Sequence, residues 1–164
     1  MRIKSFLKEL IPYIIIILVV VIIRMFIVTP VRVDGPSMNP TLEDKQLLIL
    51  SKYQKKYERF DIIVFNHHGE KLVKRIIGLP GDKVEYKNNL LYINGEMMEE
   101  SFEHIVTSDF KLSDIGYDII PDDMYFVVGD NRKNSLDSRY IGLISKEDIE
   151  GVVNLSLWPL KKIK

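Results

Sequence analysis

A mainly β domain behind one N-terminal helix is the architecture that this 164-residue sequence predicts. Two observations predict it. One long apolar run fills most of the first thirty residues, and from Val31 onward short runs rich in β-branched and aromatic residues alternate with turn residues. The length suits one domain with an appendage, divided here into an N-terminal tail at 1–9, a span at 10–28 and a domain at 29–164.

The span is "LIPYIIIILVVVIIRMFIV", Leu10 to Val28, 19 residues whose only charge is Arg24. At about 1.5 Å per residue such a helix nearly matches a hydrocarbon core of roughly 30 Å. A cleaved secretory signal usually has an apolar region of about 7–15 residues, followed by a small-x-small site. Here "TPVRVDG" follows instead, with a proline and an arginine in the way, so the reading is an uncleaved transmembrane anchor. Pro12 falls in the first turn, where its missing N–H costs little, and Arg24 near the far end snorkels to the interface. Arg2, Lys4 and Lys8 precede the span, which puts the N-terminus in the cytoplasm and everything after about Thr29 outside.

The strand runs that follow are "QLLILSKY", "FDIIVFN", "KLVKRIIG", "KVEYK", "LLYING", "MYFVVGD" and "GVVNLSLW". "KNNL" and "INGEM" read as tight hairpin turns, because Asn and Gly tolerate positive φ. "LPGD", Leu79 to Asp82, has Pro then Gly in type II order. Two short helices are expected, one at Thr41 from the capping-box pattern "TLED" and one at Ser145 in "SKEDI". The segment 99–117 is polar and weakly patterned, and reads as an insertion or flap.

Lys+Arg and Asp+Glu number 23 each. Arg2, Lys4, Lys8, Arg24 and Glu9 precede Thr29, so 19 basic and 22 acidic residues follow it, a net of −3. That balance carries no basic stripe, which argues against a nucleic-acid partner. The absence of cysteine excludes disulfides and thiolate metal sites. His67 and His68 are adjacent, and neighbouring side chains on an extended chain point opposite ways, so they make a poor chelate. They read as an exposed hairpin tip, and no metal or cofactor is expected.

Three places carry candidate chemistry. In "DGPSMNPTLEDKQLL", Ser37 stands with Gly35 and Pro36 before it and Pro40 after it. Taken alone it reads as a turn or cap serine; it becomes a nucleophile only with a base beside it. "SFLK", Ser5 to Lys8, fits an S-x-x-K pattern by accident, since it lies on the cytoplasmic side. In "KLVKRIIG" residues two apart share a face, so Leu72, Lys74 and Ile76 line one side and Val73, Arg75 and Ile77 the other. An inward Lys74 between Leu and Ile is poorly hydrated, which favours the neutral amine that a general base requires. The competing reading is an edge-strand lysine reaching into water. Arg75 is always charged and cannot be that base. The third place is "GDNRKNSLDSRYIG", Gly129 to Gly142, a dense polar loop after an apolar strand. Its Ser135 is placed to hydrogen-bond a neutral amine, and Asp130, Arg132, Asp137 and Arg139 are suited to ion pairs that stiffen it.

In this order behind one N-terminal span, these residues resemble the type I signal peptidases, in particular the short Gram-positive branch. The resemblance covers the anchor, "GPSMNPTL", "RFDIIVF", "KRIIGLPGD" and "GDNRKNSLDSR". It implies the β fold of antiparallel sheets shared with SOS-repressor proteases. It also implies a membrane-bound serine endopeptidase with a Ser–Lys dyad that removes signal peptides from exported preproteins. Matched residue to residue, Ser37 is the nucleophile, Lys74 the general base and Ser135 the residue orienting the lysine. Asp137 and Arg139 form a structural pair, Asp130 and Arg132 belong to the same box with Arg75 in support, and Met38 is a packing methionine. A Gram-negative branch carries a serine two residues before the nucleophile that helps hold the oxyanion. Gly35 stands there instead, leaving the Ser37 backbone N–H and a second donor to be found. The implied partners are preproteins, the lipid bilayer of a bacterial cell and, transiently, the secretion translocase, around a monomer without cofactor. An extended substrate is expected to add beside Val31, Val33, Asp34, Leu72 and Val73. Two other readings differ in class from this one: a self-cleaving Ser–Lys protease, and an anchored β module without catalysis.

Overall fold

Helix α1, Arg2–Phe26, leads almost directly into strand β1, Val28–Arg32. The computed structural model describes residues 2–26, 28–52, 56–158 and 160–163, and within α1 it describes the side chains of 9–22. The charges assigned to the N-terminal tail, and Arg24, therefore lie outside the described side chains. The expected span is helical as far as Phe26. Among the described residues no helix is long and apolar enough to cross a membrane.

The remainder is mainly β, as expected. Among the described residues twelve strands form two antiparallel sheets. The larger has the order β1, β2 (Leu47–Ser51), β11 (Ile149–Trp158), β3 (Ile62–His67), β4 (Glu70–Gly78), β9 (Met124–Val128) and β10 (Ile144–Ser145). Strand β12, Leu160–Lys162, folds back on β11. The smaller sheet runs β7 (Glu96–Met98), β6 (Leu90–Ile93), β5 (Val84–Lys87) and β8 (Phe110–Lys111).

The apolar runs map onto cores on both faces of the large sheet. In β3, Ile62 and Val64 point into a cluster with Val33, Met38, Leu42, Leu48 and Leu50. The alternating Ile63 and Phe65 point into the opposite cluster with Ile76, Val127 and Val152. A third cluster joins the sheets, packing Ile77, Phe126 and Val128 against Val84, Tyr86, Leu91, Ile93 and Phe110. Each such side chain contributes about 1.5–3 kcal/mol on full burial.

The turns follow the sequence reading. Asn88 and Asn89 have φ of 51° and 63°, and Asn94 and Gly95 have φ of 54° and 86°, as primed hairpin turns require. Gly81 has φ 85° and Asp82 N–H donates to the Leu79 carbonyl at 3.0 Å, closing the expected type II turn. His67 and His68 sit at the β3–β4 hairpin tip. Ser145 caps a single 3-10 turn, Lys146–Asp148, accepting from Glu147 N–H at 3.3 Å.

The helix expected at Thr41 does not form. One turn is made, Leu42 N–H to Met38 carbonyl at 2.9 Å, and the capping groups are used elsewhere. Asp44 Oδ1 accepts from Gly35 N–H at 2.8 Å, and Thr41 Oγ1 receives Arg75 Nη2 at 3.4 Å. Segment 99–117 also departs from a loose flap. It places Phe102 under Arg75, 3.9 Å from guanidinium carbon to ring centre, and ends in β8 and a 3-10 turn, Leu112–Ile115.

Candidate active site

Ser37 sits on a turn pinned at both ends. Val33 N–H bonds to the Gln46 carbonyl and Lys45 N–H to the Val33 carbonyl, each at 2.9 Å. Between them Met38 and Leu42 are fully buried in the core and act as the turn's anchors. Gly35 has φ 87°, a left-handed conformation that side chains resist, so the turn needs glycine there. With Met38 locked inward, the half-buried Ser37 faces the other way, toward β4.

On β4, Lys74 pairs with Ile63 of β3. Pairing with β9 starts only at Arg75, opposite Val128, so residues 70–74 keep an open edge where β9 gives way to the loop beginning at Gly129. Lys74 is 2% exposed, and its Nζ lies 2.8 Å from Ser37 Oγ and 2.9 Å from the Val73 carbonyl. Burial lowers its pKa to about 8 from the usual 10.5; the carboxylates of Asp137 and Asp130 pull the other way. Of the two readings of this lysine, the inward one holds.

The loop 129–137 is braced by three ion pairs. Arg139 clamps Asp137 through Nε to Oδ1 and Nη2 to Oδ2, both 2.8 Å, as expected. Asp137 also caps the short helix α2, Ser138–Ile141, and takes Gly129 N–H at 3.0 Å. The other two charges reach out of the loop instead of pairing within it. Asp130 binds Arg75 in a fork, 2.9 and 2.7 Å, with neither side chain exposed. Arg75 Nη1 further donates to the Phe60 carbonyl at 2.9 Å. Arg132 pairs with Glu100 at 2.6 Å. Glu100, Phe102 and Thr107 are supporting residues that the sequence did not single out, because their partners are remote along the chain.

Gly129 is a point of close approach. A Cβ there would meet Ser135 Oγ and lie 2.5 Å from the Ser37 carbonyl oxygen, so the loop and the Ser37 turn touch only across a hydrogen atom. Gly129→Ala is expected to lower kcat at least tenfold and to destabilise the fold by about 1–3 kcal/mol, the usual range for overpacking. Steady-state kinetics and thermal denaturation check this.

Ser135, expected to orient Lys74, lies against the same face of Gly129 as the Ser37 carbonyl oxygen. Its buried hydroxyl makes no hydrogen bond among the described residues, and neither of the two bonds from Lys74 Nζ goes to it. Gly35 N–H is taken by Asp44 and does not supply the second oxyanion donor, while Ser37 N–H has no hydrogen-bond partner among the described residues. Of the expected substrate contacts, Val33 is buried with its N–H and carbonyl both bonded, which leaves no main-chain group there for an added strand. Val31 lies on β1, which has a single neighbour, β2, in the sheet order; Asp34 is exposed; Leu72 and Val73 lie on the open edge of β4.

Comparison with known proteins places this arrangement. The chain is 42% identical to signal peptidase I P of Bacillus subtilis subsp. natto, over 99% of this chain and 95% of that protein. It is 37% identical to signal peptidase IB of Staphylococcus aureus, over 96% of this chain and 94% of that protein. The crystal structure of a signal peptidase I from Enterococcus faecalis V583 superposes with a TM-score of 0.55 at 42% identity, covering 60% of this chain and 97% of that one. Residues 6–158 match the family described as signal peptidase, peptidase S26. A chain so matched along nearly its whole length belongs to the signal peptidase family, peptidase S26.

Proposed function

We propose that this protein is a membrane-tethered serine endopeptidase that removes N-terminal signal peptides from preproteins, with Ser37 as nucleophile and Lys74 as general base. One observation carries the assignment within the family: a buried lysine amine 2.8 Å from a serine hydroxyl that faces an open strand edge. Neutral Lys74 takes the Ser37 proton as Oγ attacks the scissile carbonyl, then returns it to the leaving amine. Water releases the acyl group by the same route. Ser37 N–H faces the oxyanion. Ser135 acts as the second partner of Lys74, a role supported by its buried, unbonded hydroxyl beside the same glycine that abuts Ser37.

The substrate lies extended between the free edge of β1 at Val31 and that of β4 at Leu72–Val73, bonding through its main chain. The tether is α1. Its 25 residues would extend about 37 Å. Ile11, Ile14, Ile16, Ile17 and Val20 are each more than half exposed, an apolar surface of the kind that lipid covers. The domain then stands outside the membrane with the N-terminus in the cytoplasm, as positive charge ahead of the span directs.

Incubating the purified chain in detergent with a preprotein, and locating the new N-terminus by mass, tests the activity. A cut within the mature sequence, or no cut, overturns it. The pH profile tests the base. With Lys74 at about 8, roughly a tenth of the amine is neutral at pH 7 and about nine tenths at pH 9. Turnover is expected to rise nearly tenfold over that interval and then level off. A fall across it would rule out an unprotonated lysine.

A further inference from the structure

The loop after β9 does more than carry charged pairs. Asn131 reaches across to the nucleophile turn with two hydrogen bonds. Its backbone N–H donates to the Ser37 carbonyl at 3.0 Å, and its side-chain Nδ2 donates to the Pro36 carbonyl at 3.2 Å. The Pro36 carbonyl and the Ser37 N–H belong to one planar peptide unit, pointing in opposite directions. Fixing the oxygen therefore fixes where the N–H aims.

Asn131 is itself held from behind. The next residue, Arg132, has a side chain with no exposure; Nη2 donates to Glu100 Oε1 at 2.6 Å and Nη1 to Thr107 Oγ1 at 2.6 Å. The Arg132 carbonyl accepts from Arg139 Nη2 at 2.8 Å. The Glu100 carboxylate is nearly buried, takes Tyr86 OH at 3.0 Å and stands 3.4 Å from His104 Nε2. Arginine clamped at both its guanidinium and its carbonyl leaves its neighbour little freedom to drift.

We infer that Asn131 is a positioning residue for the oxyanion donor, orienting the Pro36–Ser37 peptide, and that the Glu100–Arg132 pair is its anchor. This rests on the reading of Ser37 as nucleophile. Donors aimed at developing charge act on the transition state, so the effect falls on kcat and leaves KM nearly unchanged.

Asn131→Asp is the decisive variant, since it keeps size and shape but sets a carboxylate against the Pro36 carbonyl. Its kcat on a preprotein is expected to fall on the order of 10- to 100-fold, as much as or more than in Asn131→Ala, with KM within about twofold. A wild-type kcat in Asn131→Asp, or a loss confined to KM, overturns the inference. Glu100→Ala supplies a readout independent of catalysis: hydrogen exchange in the peptide carrying Asn131 is expected to quicken while exchange at Val64 in the β3 core stays unchanged. Unchanged exchange at Asn131 removes the anchor. Wild type and Ser37→Ala run in parallel, so a wild-type enzyme that does not cut, or a Ser37→Ala that does, refutes the nucleophile assignment, while the exchange result still bears on the anchor.

Discussion

Ser37→Ala is expected to lose cleavage by about 10⁴-fold or more, the scale seen when a covalent nucleophile is removed, with an unchanged thermal transition. Lys74→Met should lose activity to a similar extent while gaining stability. The sign follows from linkage. Folding lowers the lysine from 10.5 to about 8, so between those values the unfolded chain holds more protons and stability rises with pH. Below pH 8 the full penalty remains, about 3 kcal/mol at ~1.36 per pH unit. Methionine fills similar space without that penalty, so the variant is expected to melt about 6–12 °C higher at pH 7. The advantage should shrink toward zero as pH approaches 10.5. A Lys74→Met protein that melts lower at pH 7, or that retains turnover, would contradict a base whose pKa is lowered by burial.

The second large effect belongs to the pair behind the site. Arg75 and Asp130 have no side-chain exposure, and the arginine joins β4 to the loop 55 residues further on. Asp130→Ala takes the forked carboxylate away from a guanidinium with no exposure, and breaking such a buried pair typically costs about 3–5 kcal/mol. Chemical denaturation of the full chain in detergent is expected to show a loss of that size, with loss of activity at the same temperature. Replacing both partners with apolar residues, as in Arg75→Met with Asp130→Leu, should restore most of the stability because no buried half of the pair remains. Activity should not return with it, since the loop would have lost its tie to the strand of Lys74. A double variant no more stable than Asp130→Ala alone would show that the buried guanidinium left by the broken pair is not the source of the cost.

The parts of the fold legible in the sequence are those fixed by neighbours along the chain. The apolar runs of β3, β4 and β9, the paired asparagines at 88 and 89, and Pro80–Gly81 each carry their own local cause. Strands β1, β7, β8, β10 and β12 have two to five residues and exist because a partner strand lies alongside, so no internal pattern announces them. Thr41 and Asp44 carried a valid capping pattern that tertiary partners Arg75 and Gly35 claimed first. In the site, the face of Lys74 was readable from strand alternation. Its contact with Ser37, 37 residues away, was suggested by family resemblance and not by spacing. The pairing of Arg132 with Glu100, across 32 residues and three elements, left no trace that a single sequence displays.

The abrupt passage from α1 to β1 limits how far the enzyme can reach. Residue 27 alone separates the two elements, and Ser37 comes 11 residues after Phe26. Even a fully stretched chain of that length covers no more than about 40 Å. Under the proposed tether, with α1 embedded in lipid, the hydroxyl would patrol a shallow layer above the headgroups, and a scissile bond held on a longer stalk would pass out of range.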